Sequence, residues 1–268
     1  MQALWNNPIF FKYRLLESRE YRRSKSSFWV RQMSLVWCVL FPLAFVAMLA
    51  LPEILDAISP SYDQGRLYNA VYNLTRQWLG ALTISHFLVL LVAIGLSLHG
   101  TSSQVTAERE KKTFESLQST MMSATEIVNG RLASGLWPVL RELLIVSPLA
   151  LLLGVVAGFG VKALLCIALL FSTVAFYGTV GLWSSYCCKN TQNAHRMAAG
   201  VAGSLLVLTP LAAALTSNES LLMLHPVYAS GALADGATPV MLVTAFHFCA
   251  ASLLWLDALR RERSAVRI

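Results

Sequence analysis

Six charged residues, Glu108, Arg109, Glu110, Lys111, Lys112 and Glu115, crowd into two helical turns of a chain that is only 13% charged. Opposite charges three or four residues apart, such as Glu108 with Lys111 or Lys112, support an exposed helix. Phe114, Leu117, Met121 and Met122 recur at helical spacing and give that helix one apolar stripe. Ser123 stands three residues before Glu126, the spacing of a capping box, so a second helix is expected to start there. The run from Ser103 to Leu132 therefore reads as helix, tight turn and helix, a charged handle suited to contact with a soluble partner. Nothing in the chain has the pattern of a P-loop, a nucleophile elbow, a zincin helix or paired catalytic carboxylates in a soluble pocket, so no ATP hydrolysis or other catalysis is expected of it.

Two histidines offer a different chemistry. His86 and His247 each fall about nine residues inside the same end of an apolar segment, which is roughly 13 Å deep at the helical rise. They could meet as a polar pair, touch a substrate, or join Cys249 in a soft-metal site. Cys187 and Cys188 are adjacent, without the spacing or the neighbouring His of a zinc site, and no metal site is expected. The five cysteines, at 38, 166, 187, 188 and 249, are odd in number and argue against a disulfide framework.

The elements that must position these residues are membrane helices. Hydrophobic residues make up 56% of the 268, and they gather into runs near the twenty or so residues that cross a bilayer. Six spans are expected, at about 28–51, 77–98, 137–159, 163–186, 194–215 and 240–259, within one transmembrane domain over 28–268. The charged run lies between the second and third spans. All but Arg66, Arg76 and Lys162 of the 21 Lys and Arg then fall on one side, which the positive-inside rule makes cytoplasmic, together with both termini. The net charge of +7 thus reports topology, and no nucleic-acid partner is implied.

Residues 1–27 form a separate piece. Ile9, Phe10, Tyr13 and Leu16 share one helical face, with Lys12, Arg19, Arg22 and Arg23 around the rest, and Pro8 suits a first turn. This is the pattern of an amphipathic helix lying on membrane lipid. Small residues at Ala194, Ala198 and Ala202, and at Gly154 and Gly158, let helices approach closely, for bundle packing or a dimer seam. Arg141 and Glu142 are placed near the interface, just after Pro138, as a half-buried pair. Residues 217–239 read as short re-entrant helices.

The string from Ala107 to Leu132 resembles the segment between the second and third spans of type-2 ABC exporter permeases. The matching positions are Glu108, Arg109, Glu110, Thr113, Phe114, Glu115, Leu117, Ser119, Thr120, Glu126, Ile127, Val128, Gly130 and Arg131. Lys111 and Lys112 stand where the family often has a residue and a Gly, and the turn lacks the family's Pro. The Asn7-Pro8 start and the junction around Cys187 to Arg196 are similar to the family as well.

The resemblance implies an all-α integral membrane protein of six spans, with an N-terminal interfacial helix and a cytoplasmic helix-turn-helix coupling segment between spans 2 and 3. It implies a permease subunit in the cytoplasmic membrane that docks an ATP-binding subunit through Glu108, Arg109, Glu110, Thr113, Phe114, Glu115, Leu117 and Glu126. Two ATP-binding subunits would carry the ATP and Mg, this chain holding no cofactor, and a second permease subunit, identical or related, would complete the pathway. The alternative is a membrane anchor that docks an ATPase without moving solute. A secondary transporter is disfavoured, because no span centre carries an acidic residue for coupling to protons or sodium.

Overall fold

The computed structural model describes residues 9, 86–87, 89–114, 122–156, 160–217, 221–222, 225–231 and 238–266. These residues are helical apart from turns and short connections, with no strand among them. We number the helices α1 (89–102), α2 (Gln104–Glu110), α3 (Ala124–Val156), α4 (Gly160–Cys187), α5 (Thr191–Thr216), α6 (Pro226–Gly231) and α7 (Thr238–Val266). Among the described residues five stretches are long and apolar enough to cross a membrane: Val89–Glu110, Ala124–Leu152, Gly160–Cys187, Thr191–Thr216 and Thr238–Ala265. The chain is a multi-pass membrane protein. The expected first span, 28–51, and the interfacial-helix residues Phe10, Tyr13, Leu16, Arg19, Arg22 and Arg23 lie outside the described residues.

The connection from α4 to α5 shows how the sequence turns the chain. Asn190 is extended and its side chain accepts a hydrogen bond from the Asn193 amide at 2.8 Å, capping α5 only three residues after α4 ends. At the far end of α5, Ser217 takes a left-handed conformation, φ 51°, and stops the helix.

One boundary differs from the sequence reading. The second helix expected after Ser123 and the third span expected at 137–159 are a single helix of 33 residues, α3, which runs through Pro138 and Pro148. Proline removes one backbone donor but need not end a helix packed among membrane helices, where neighbours re-satisfy the freed carbonyl.

At the centre is α4, which packs against α2, α3, α5 and α7. Of its most apolar stretch 56% is buried, against 17% in α5 and α7, so α4 is the post around which the others stand. Its buried hydroxyls are satisfied locally: Thr173 donates to the Leu169 carbonyl, Thr179 to Ala175 and Ser184 to Val180. Glycines set the closest crossing. A Cβ on Gly135 of α3 would lie 2.6 Å from the Gly100 carbonyl oxygen of α1, so the two backbones touch there. Gly181 of α4 gives the same room to Thr101 and Leu98. The alanine stripe of α5 is buried, Ala194, Ala198 and Ala202 each at 4% exposure or less, and packs inside the bundle, whereas Gly203 has open space beside it.

Helix directions alternate, so the C-terminal ends of α1, α4 and α7 meet the N-terminal ends of α3 and α5. All the motif residues of the charged run that are described gather at this polar end.

Candidate functional site

The charged run begins as a continuation of a span. α1 gives way at Ser103 to α2, whose first free amides, Val105 and Thr106, both donate to the Ser185 hydroxyl of α4 at 2.9 and 3.1 Å. α2 is therefore bolted to α4 by its backbone. It ends in a Schellman turn: the Thr113 amide donates to the Glu108 carbonyl at 2.9 Å and the Lys112 amide to the Arg109 carbonyl at 3.1 Å. Lys112 supplies the left-handed residue this turn needs, with φ 54°. The turn forms there without a Gly.

The turn carries Phe114 back over the bundle. Its ring has the Arg109 guanidinium 5.2 Å from the centroid and that of Arg131 at 5.3 Å. Beneath it lies a buried ionic cluster. Arg131 of α3, fully buried, donates through Nη2 to Glu108 Oε2 and through Nη1 to Glu262 Oε2, both at 2.6 Å. Nη1 also reaches the Tyr186 hydroxyl at 2.6 Å, and that hydroxyl donates to Glu262 Oε2 at 2.7 Å. Four helices, α2, α3, α4 and α7, are thus tied at one guanidinium. Val105, Val128, Leu182, Ala258 and Leu259 close around the cluster and keep water away.

Burying one arginine between two carboxylates is not a cheap source of stability. Desolvation costs several kcal/mol per ion, and only short, well-formed hydrogen bonds offset it. What the arrangement supplies is geometry, because Arg131 makes these three hydrogen bonds only when all four helix ends are in register, and even then its Nε and Glu262 Oε1 stay buried without a partner among the described residues.

Glu108 is corrected by this arrangement. Expected on an exposed face beside Lys111 and Lys112, it is 4% exposed and paired with Arg131. Its neighbours fare differently. Arg109 donates to the Cys188 carbonyl at 3.0 Å, and the exposed Glu110 accepts the Thr191 amide at 2.7 Å, a carboxylate on the N-terminus of α5. Thr113 and Phe114 are half-buried, and Lys111 and Lys112 are exposed. Glu126 forms the expected capping box, its carboxylate accepting the Ser123 amide at 2.8 Å while its own amide donates to the Ser123 hydroxyl. Glu115 and Leu117 lie outside the described residues.

Several contacts were not visible in the sequence. Ile9, placed there on a lipid-facing stripe, is 3% exposed and packs against Ile127 with Met122 beside it. Glu262 stands among Arg260, Arg261 and Arg263, and reading that tail as basic conceals its one acid. Trp255 donates to Asn129 at 2.9 Å and Trp183 to Asp257 at 2.9 Å, extending the network across the polar end. Ser102 meets His195 at 2.6 Å, and the His99 ring stacks on that imidazole. A signal was available for Arg131 alone, as a lone cation entering an apolar run.

The remaining candidates sit elsewhere. Arg141 and Glu142 pair with each other at 2.8 Å, about one third exposed. Since α3 is unbroken, they lie ten residues beyond Arg131, about 15 Å further along the axis. The pairing is the half-buried one expected from the sequence. His247 is buried and stacks on Phe176 with ring centroids 4.9 Å apart, while His86 is half-buried with a buried Nε2 that has no hydrogen-bond partner. Cys249 is exposed. Among the described residues no group of three or more His, Cys, Asp or Glu side chains could hold a metal ion.

No family model and no curated protein sequence matches this chain.

Proposed function

We propose that this chain is the membrane-spanning permease subunit of an ATP-driven exporter of the type-2 ABC class, working with two copies of a separate ATP-binding subunit and a second permease subunit. In this reading the stretch 28–51 completes six spans, residues 1–27 lie on lipid, and the polar end faces the cytoplasm with both termini. ATP and Mg belong to the partner, and this chain transmits motion.

The observation that carries the reading is the anchoring of the segment between α2 and α3. A handle can pass on force only if it is stiff where it joins the machine. Here its two legs are continuations of spans, fixed to α4 by the Ser185 hydroxyl and to α7 through Arg131 and Glu262. The exposed side chains between the legs, Lys111, Lys112 and Glu126, are the ones offered to a partner in this reading. Coupling then needs only that the ATPase hold this tip differently in its two states.

Within that frame the sequence-derived docking set divides in two. Glu108 acts inside the permease as part of the joint, and Phe114 lies over it, while Glu110 and Glu126 are exposed rim, joined there by Lys111 and Lys112 from outside the set. The half-exposed pair Arg141–Glu142, too costly to face lipid at depth, is assigned to the surface shared with the second permease subunit or the pathway.

The test is co-purification from membranes with a candidate ATP-binding subunit, followed by ATP-dependent accumulation in inverted vesicles. The double reversal Lys111→Glu/Lys112→Glu and the single Glu126→Lys should release the ATPase while the permease still inserts and elutes as wild type. Undiminished co-purification would refute the docking surface. Accessibility labelling that placed a cysteine at position 112 on the outer face would end the exporter reading. Docking without any solute accumulation would favour the anchor instead.

A further inference from the structure

A cavity of about 330 Å³ opens between α4, α5, α6 and α7, away from the ionic cluster. That is within the range of small-molecule pockets, roughly 300 to 1,000 Å³. Its walls include Phe176, Leu205, Pro226 and Phe246, and no Asp, Glu, Lys or Arg lines it. Besides Thr209, whose hydroxyl donates to the Leu205 carbonyl at 2.6 Å, two polar side chains line it, Tyr177 and His247, each only 1% exposed.

Their hydrogen bonding is incomplete in a specific way. Thr173 donates its one hydroxyl proton to the Leu169 carbonyl at 2.7 Å. Toward His247 Nδ1, at 3.3 Å, the same oxygen can therefore only accept, so Nδ1 carries the ring proton. In a neutral imidazole that leaves Nε2 as a bare acceptor. Among the described residues neither His247 Nε2 nor the Tyr177 hydroxyl has a hydrogen-bond partner. Neither atom is sealed off as His86 Nε2 and Thr244 Oγ1 are, so an acceptor and a donor, both without partners, border one apolar space and are completed by a molecule that enters it.

We propose that this cavity binds a neutral, mostly apolar molecule bearing a hydroxyl group, which donates to His247 Nε2 and accepts from the Tyr177 hydroxyl. A hydroxyl is the smallest group that can do both at once. The apolar walls take the rest of the molecule, and a charged head would find no counter-ion. The same chemistry is offered by a membrane lipid with a free hydroxyl, such as diacylglycerol, and by an amphipathic alcohol as solute. The site belongs to this chain alone, so its test does not depend on docking of an ATPase.

The experiment uses the full chain purified in detergent and a diazirine-bearing fatty alcohol, with a diazirine-bearing hydrocarbon of equal length as the reference probe. The alcohol should label α4 and α7 in preference to the hydrocarbon. Tyr177→Phe keeps the ring, loses a hydroxyl that has no partner, and should elute as wild type while alcohol labelling falls by about fivefold, the weight of one neutral hydrogen bond. Thr173→Val removes the acceptor that holds the proton on Nδ1. The ring can then present Nε2–H, and labelling by the methyl ether of the same alcohol, which accepts but cannot donate, should rise. Equal labelling of Tyr177→Phe and wild type, or of the two probes, would overturn the site. An excess of unlabelled diacylglycerol that abolishes labelling assigns the occupant to the bilayer, and abolition by phenylethanol alone assigns it to solutes. Failure of both to compete would overturn the proposal as well.

Discussion

Glu108 and Glu110 stand two residues apart on α2 and reach opposite environments. Glu108 is sealed against Arg131, while Glu110 sits at the surface holding the first amide of α5. The same division recurs at the end of α7, where Glu262 is fully buried in the ionic cluster. Its neighbour Arg261 pairs with Asp257, both about 40% or more exposed. The polar end thus has an interior and a rim built from adjacent residues of the same charged runs. The interior has one guanidinium that must satisfy two carboxylates without water. The rim has charges that water would serve nearly as well.

The difference can be broken most strongly at Arg131. Arg131→Gln leaves Glu108 and Glu262 buried without a cation and should cost about 3–5 kcal/mol, read as loss of the monodisperse folded protein in detergent. The comparison sharpens if the triple variant Arg131→Met/Glu108→Leu/Glu262→Leu recovers thermal stability, because apolar packing can replace a buried ionic group. Wild-type stability for the single variant would mean that the cluster is not sealed.

A smaller loss is expected at the crossing that brings the interior together. Gly135→Ala drives a methyl group into the Gly100 carbonyl and should cost about 1–3 kcal/mol, measured as a lowered unfolding midpoint. At the rim the expected sign reverses. Lys112 holds a left-handed conformation that costs an L-residue on the order of 1 kcal/mol, so Lys112→Gly should raise the midpoint slightly while keeping the Schellman turn. A drop would show that the lysine side chain is bound to something. The smallest effect belongs to Arg261→Gln, a change within about 0.5 kcal/mol, since an exposed pair on one helix contributes little. A large loss there would erase the distinction between interior and rim.

Local rules read this chain well wherever the partner was near in sequence. The capping box at Ser123 and Glu126 spans three residues, and the three-residue connection after α4 follows from Asn190 as a cap. The boundary near residue 137 differs because the apolar run sets where a span can begin but not where its helix does, and the helix capped at Ser123 runs straight into it. The error at Glu108 has a different origin. Lys111 and Lys112 were at the right helical spacing, but Arg131 lies 23 residues away, and nothing in the intervening sequence states that the chain folds back upon itself there. Likewise His247 was visible as a histidine deep in a span, whereas its neighbours Thr173 and Phe176 come from another helix.

By itself, the amino-acid sequence determined that this is a helical membrane protein with one charged segment between two spans, because hydrophobic run length and charge placement act residue by residue against the solvent. Only the tertiary structure decided which charges became interior and which remained surface, and which apolar helices share a cavity with Tyr177 and His247. Those outcomes depend on helix register at a distance: a glycine contact at positions 100 and 135 and a single arginine held by three helices at once. Burial turns such contacts from weak, screened attractions into requirements, and burial is a property of the assembled bundle.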